Sequence, residues 1–134
     1  MNNLNLTITS ETGNFFKVQN FTEKLMRDFT ISEKLYGKLD LAILEALKNA
    51  VIHGNKSNPK KIITIKAWVE DDNIFVSVED EGEGFDYTFI PDPTLPENLM
   101  KVSGRGLYLM KTLSDNLEFQ NNGSKVIMSF SLKS

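Results

Sequence analysis

No cysteine occurs in the 134 residues. That excludes a disulfide scaffold, a thiolate zinc site and thiol catalysis. One histidine is present, so a multi-histidine metal centre is excluded as well. Positive charge is not in excess: 15 Lys and Arg stand against 18 Asp and Glu, a net charge of −3. This argues against a surface that binds nucleic acid by neutralising phosphates. No stretch approaches the ~18 consecutive apolar residues of a membrane span. The start, Met1-Asn2-Asn3-Leu4, lacks a basic-then-apolar leader. The expectation is a soluble, cytoplasmic protein without direct nucleic-acid or membrane contact. What is there suffices for a core: 40% of residues are hydrophobic, and a chain this long buries roughly two-thirds of its unfolded surface. A single domain over 1–134 is expected.

Leu4, Leu6 and Ile8 alternate with Asn5, Thr7 and Thr9, a strand with one buried face. Between Asn14 and Thr30, Phe15, Val18, Phe21, Leu25 and Phe29 recur at helical spacing. Ser32 is placed to cap a second helix that runs to about His53 and stops at Gly54-Asn55. Ile62–Val69 and Ile74–Val78 alternate as strands around the turn Glu70-Asp71-Asp72-Asn73. Tyr87–Ser103 carries three of the four prolines and no sustained period, and so long a loop is usually functional or disordered. Gly104–Leu113 reads as a helix opening on Gly-Arg-Gly. Leu117–Gln120 and Lys125–Leu132 form a last hairpin around Asn121-Asn122-Gly123. Hairpins with helices grouped between them predict an α+β two-layer sandwich, a mixed, mainly antiparallel sheet covered on one face by helices.

Three segments carry polar groups that a plain core does not need. On the second helix, Glu45 and Asn49 are four apart, about 40° from each other on one face, and His53 continues the line. This stripe is either a solvated face with Lys48 as ion-pair partner, or a carboxylate base beside an amide oxygen that suits Mg²⁺. Asp80-Glu81-Gly82-Glu83-Gly84-Phe85 follows a strand. It is either a charged turn or a place where glycines permit close backbone approach and Asp80 accepts a hydrogen bond from the exocyclic amine of adenine. Its glycines occupy ligand positions of the helix-loop-helix calcium pattern, so that reading fails. Ser103-Gly104-Arg105-Gly106-Leu107 is either a plain helix start or a phosphate site with Arg105 as a bidentate donor. It matches neither the dinucleotide fingerprint nor the Walker loop.

In this order and at these distances, the three segments resemble those of the anti-sigma factor serine-protein kinases. These are stand-alone members of the Bergerat-type ATPase superfamily shared by histidine kinases, gyrase, Hsp90 and MutL. Glu45–Asn55 is similar to the N box, Asp80–Phe85 to the first glycine box and Gly104–Leu107 to the second. Gly123-Ser124-Lys125-Val126 is similar to the family's turn before the last strand. The resemblance covers nearly the whole chain.

By resemblance, Asn49 would coordinate Mg²⁺. Asp80 would bind the adenine amine over a floor shaped by Gly82 and Gly84, with Ser124 reaching the base through water. Gly104, Arg105 and Gly106 would hold the triphosphate of ATP, Tyr87–Ser103 would form a lid, and Glu45 would be the general base for a serine hydroxyl. His53 is left out of the catalytic set. The function implied is an ATP-dependent protein-serine kinase and anti-sigma factor. It would sequester a sigma factor, phosphorylate a STAS-type anti-sigma factor antagonist and pair as a homodimer. Two alternatives are a nucleotide-regulated binding module without transfer and a detached histidine kinase ATPase domain acting in trans.

Overall fold

The computed structural model describes residues 3–84 and 102–133. The chain runs β1 (Asn3–Thr9), α1 (Phe15–Asp28), α2 (Glu33–Lys48), β2 (Ile62–Glu70), β3 (Asn73–Glu79), α3 (Val102–Leu113), β4 (Asn116–Gln120) and β5 (Lys125–Ser131). The strands form one sheet in the order β1-β2-β3-β5-β4. All four ladders are antiparallel, the mainly antiparallel α+β sandwich expected from the sequence.

Strand alternation places the core. Ile8, Ile63, Ile65, Ala67, Ile74, Val76, Val78, Val126, Met128 and Phe130 are buried. They cluster with Val18, Phe21 and Leu25 of α1, Leu39, Ile43 and Leu47 of α2, and Leu107 and Met110 of α3. Leu4 and Leu6, opposite Ala67 and Ile65 on the edge strand β1, share that face but are only half-buried. The opposite face carries Trp68 stacked on its cross-strand partner Phe75, with ring centroids 5.5 Å apart.

Local chemistry sets the element ends. Ser32 Oγ accepts from Leu35 N–H at 3.2 Å, the expected cap of α2. Helix α1 closes with Thr30 in the left-handed region (φ 53°) and Ile31 N–H donating to the Met26 carbonyl, a Schellman-type end. Asp71 and Asp72 both have positive φ, 52° and 62°, and join β2 to β3. Such a turn matches the right-handed twist of its strands.

Two boundaries depart from expectation. Helix α2 passes at Lys48 into a π-helical turn over Asn49–Gly54. The Asn55 N–H closes it on the Ala50 carbonyl at 2.8 Å. Helix α3 begins at Val102, so Gly104 and Gly106 lie inside its first turns rather than before it. The topology gathers one end of the sheet into a single neighbourhood: Thr9 pairs with Ile62, Thr64 with Glu79, and Glu79 with Lys125.

Candidate functional site

Asp80 leaves the end of β3. Its N–H donates to the Ser124 carbonyl at 2.9 Å, and its Oδ1 accepts from Gly82 N–H at 2.8 Å. The Asp80 backbone is therefore tied to the β4–β5 turn, and its carboxylate is held by its own loop. It also lies against the π turn, since a Cβ added at Gly54 would overlap the Asp80 carboxyl group. A Cβ at Gly82 would in turn overlap the Gly54 carbonyl. Gly84 has φ +88°, and a Cβ there would meet the Asn122 carbonyl. The glycines thus let the helix end, the loop after β3 and the β4–β5 turn approach within backbone contact.

Burial pushes the Asp80 carboxyl above the ordinary aspartate range. The Gly82 N–H opposes this, neighbouring Glu79 adds to it, and Lys61 opposes it. A half-buried acceptor held by backbone is suited to a directed hydrogen bond from a ligand donor. Ser124, 9% exposed, lies beside it and donates its hydroxyl to the Asn121 carbonyl at 2.9 Å.

The second part of the site lies on α2 and α3. The Glu45 side chain is only 13% exposed, and its Oε2 stands 3.7 Å from Lys48 Nζ. The solvated-stripe reading of this helix face therefore does not hold for Glu45, although the Lys48 pairing does. Asn49 opens the π turn, and its carboxamide faces Gly106 of α3. A Cβ at position 106 would stand 3.3 Å from Asn49 Oδ1. Among the described residues no group of three or more acidic, histidine or cysteine side chains is arranged to hold a metal. A single amide oxygen with a carboxylate one turn away suits Mg²⁺, which takes most of its ligands from water and phosphate. The residues therefore fit that ion together with a bound polyphosphate, and do not form a cage of their own.

The structure brings together Asp80, Gly82, Gly84 and Ser124, and separately Asn49 and Gly106. The six-residue π turn joins the two groups. His53 is exposed, and the α-helical line drawn from Asn49 to it fails because the turn is π. The first four N–H groups of a helix lack intrahelical partners. With α3 starting at Val102, Gly104 and Arg105 fall in that set and Gly106 lies just beyond it. The Arg105 side chain lies outside the described residues, as does the expected lid Tyr87–Ser103 apart from Val102 and Ser103, which belong to α3.

Sequence reasoning missed Asn55. It is 1% exposed, and its Nδ2 donates to Ser10 Oγ at 2.5 Å and to the Ile62 carbonyl at 2.9 Å. Its Oδ1 accepts from Glu81 N–H at 2.7 Å. The only signal was an asparagine after a glycine at a helix end, which reads as an ordinary stop.

Residues 8–130 match the histidine kinase-like ATPase domain family. The chain belongs to that family, and ATP is the nucleotide such a domain uses. The chain is similar to the anti-sigma F factor of Clostridium perfringens, 34% identical over 99 residues that cover 65% of this chain and 66% of that one. It is also similar to the serine-protein kinase RsbW of Bacillus subtilis, 33% identical over 97 residues that cover 66% of this chain and 59% of that one. The matched segment is thus less than two thirds of either relative's length. Among solved structures, the crystal structure of the RsbU and RsbW domains of a Mycobacterium tuberculosis protein superposes with a TM-score of 0.71. That match has 18% identity and covers 98% of this chain and 32% of that one. It carries the fold.

Proposed function

We propose that this chain is an ATP-dependent serine-protein kinase and anti-sigma factor. The observation that carries the reading is the placement of Glu45: a largely covered carboxylate four residues before Asn49, whose amide abuts Gly106 of α3. The names of the two relatives point the same way. One is an anti-sigma factor and the other a serine-protein kinase.

Each residue then has a physical role. Asp80 accepts the adenine amine, over the floor that Gly82 and Gly84 leave open, and Ser124 would reach the base through water. The helix start at Gly104 and Arg105 holds the phosphates by its free N–H groups, and Gly106, with no side chain, leaves them room. Asn49 supplies an oxygen ligand to Mg²⁺, which when bound neutralises phosphate charge. Glu45 takes the proton from a serine hydroxyl of the protein substrate. The serine oxygen bonds to the γ-phosphorus, the bond from that phosphorus to the bridging oxygen breaks, and ADP leaves with the electron pair. Proton removal by a placed base contributes roughly 10²–10⁴-fold, and the rest of such a reaction is alignment and charge stabilisation.

The protein partners of this reading are a sigma factor, held away from RNA polymerase, and a STAS-type antagonist that receives the phosphoryl group. A cytoplasmic location follows from those partners. No described helix is long and apolar enough to cross a membrane. Homodimerisation through β1 and the sheet is part of the same reading.

The test is incubation with γ-labelled ATP, Mg²⁺ and a candidate antagonist. Acid-stable phosphoserine on the antagonist is expected. Nucleotide binding without transfer would contradict the kinase and leave a sequestering module. Acid-labile phosphohistidine would contradict it in favour of a trans-acting histidine kinase domain.

A further inference from the structure

Asn55 satisfies its whole carboxamide inside the protein, yet its partners come from three places far apart in sequence. Ser10 follows β1, Ile62 opens β2, and Glu81 follows Asp80 in the loop after β3. Glu81 closes the circuit, because its Oε1 accepts from Ile62 N–H at 2.7 Å. Residue 62 is thus gripped at its carbonyl by Asn55 and at its N–H by Glu81. The Ser10 N–H adds a strand-like bond to the Lys61 carbonyl at 3.0 Å.

The backbone around Asn55 is equally committed. Gly54 lies against the Asp80 carboxyl group, and Lys56 and Ser57 both sit in the left-handed region, φ 52° and 56°. Two consecutive non-glycine residues there are disfavoured and persist only where their surroundings hold them. What they achieve is to end the π turn with Asn55 directed inward.

We infer that Asn55 is a positioning residue for nucleotide recognition: by accepting from Glu81 N–H it fixes the peptide that follows Asp80, and so sets where the Asp80 carboxylate meets the adenine amine. This rests on the adenine-nucleotide reading of the site. The acceptor side of Asn55 governs recognition, and the donor side, toward Ser10 and Ile62, governs stability.

The test is calorimetric titration of the folded protein with ADP and with an ADP analogue lacking the exocyclic amine. Asn55→Ala is expected to weaken ADP about tenfold, the equivalent of about 1.4 kcal/mol, and the amine-free analogue less than about twofold. Asn55→Asp keeps an acceptor for Glu81 N–H, so ADP affinity is expected within about threefold of the unaltered protein despite a lower Tm. It also serves where the alanine variant does not fold. Ser10→Ala is expected to lower Tm with ADP affinity unchanged.

Equal loss for ADP and for the amine-free analogue would overturn the inference, as would a fall in Tm with ADP affinity intact in Asn55→Ala. Loss in Asn55→Asp as large as in Asn55→Ala, or more than about threefold weaker ADP binding in Ser10→Ala, would overturn it too. Absence of ADP binding by the unaltered protein would instead overturn the nucleotide reading on which it rests.

Discussion

The two ends of the site are built differently. At the Asp80 end, backbone meets backbone. Gly54, Gly82 and Gly84 leave no room for a Cβ, Asp80 is bonded to Ser124 and Gly82, and Asn55 ties in Glu81. At the Glu45 end, by contrast, the Asn49 side chain faces the bare backbone of Gly106 on α3. The Asn49 Oδ1 would stand 3.3 Å from a Cβ at position 106, and Glu45 Oε2 lies 3.7 Å from Lys48 Nζ. The first end is complete before a ligand arrives, which favours selection by shape and hydrogen bonding. The second places a largely covered carboxylate near an amide, which suits chemistry on a charged group.

Substitutions at the two ends should therefore fail in different ways. The largest effect is expected for Glu45→Ala: transfer to the antagonist should fall by roughly 10²–10⁴, while ADP affinity, read by calorimetry, stays within about twofold. Parallel loss of both would erase the distinction between the ends. Asn49→Ala should weaken Mg²⁺-ATP about tenfold and leave metal-free ADP unaffected, in a titration run with and without a chelator. An unchanged Mg²⁺-ATP titration would remove Asn49 from the metal site.

Asp80→Asn should weaken ADP severalfold and, without nucleotide, raise Tm at pH 7. The sign follows from burial. The folded state raises the carboxyl pKa, so it prefers the protonated form. The stabilisation from that preference is present below the unfolded value, about 3.9, and is lost as pH rises through the folded one. A neutral amide should escape that loss. Its advantage in thermal melts should accordingly shrink as pH falls toward 4, and an advantage that grows on acidification would contradict the assignment. The smallest effect is expected at the far end of the sheet. Asp72→Gly should relieve a left-handed turn residue and raise Tm slightly, with ADP affinity unchanged.

Much of this arrangement was legible in the sequence because its causes are local. The spacing of Val18, Phe21 and Leu25 specifies a helix face, Ser32 caps, and Asp71-Asp72 turns. The order of the motifs carried the family. Three features were not legible. The apolar pattern over Asn49–Gly54 serves a π turn as well as an α turn, so the line to His53 was misdrawn. The start of α3 was placed late because Gly104 and Gly106 read as loop, whereas Leu107 and Met110, buried in the core, belong to a helix that begins earlier. Asn55 could not be found at all. Its side-chain partners lie 45, 7 and 26 residues away, and only the sheet topology brings them together.

Everything rests on separated segments closing around one adenine nucleotide, so the most direct measurement is titration of the purified chain with ADP and Mg²⁺ in a calorimeter, paired with a thermal melt. A saturable single-site isotherm is predicted, with a stabilisation of about 2.7 kcal/mol at a hundredfold excess over Kd. A flat titration together with an unmoved melting curve would contradict the account.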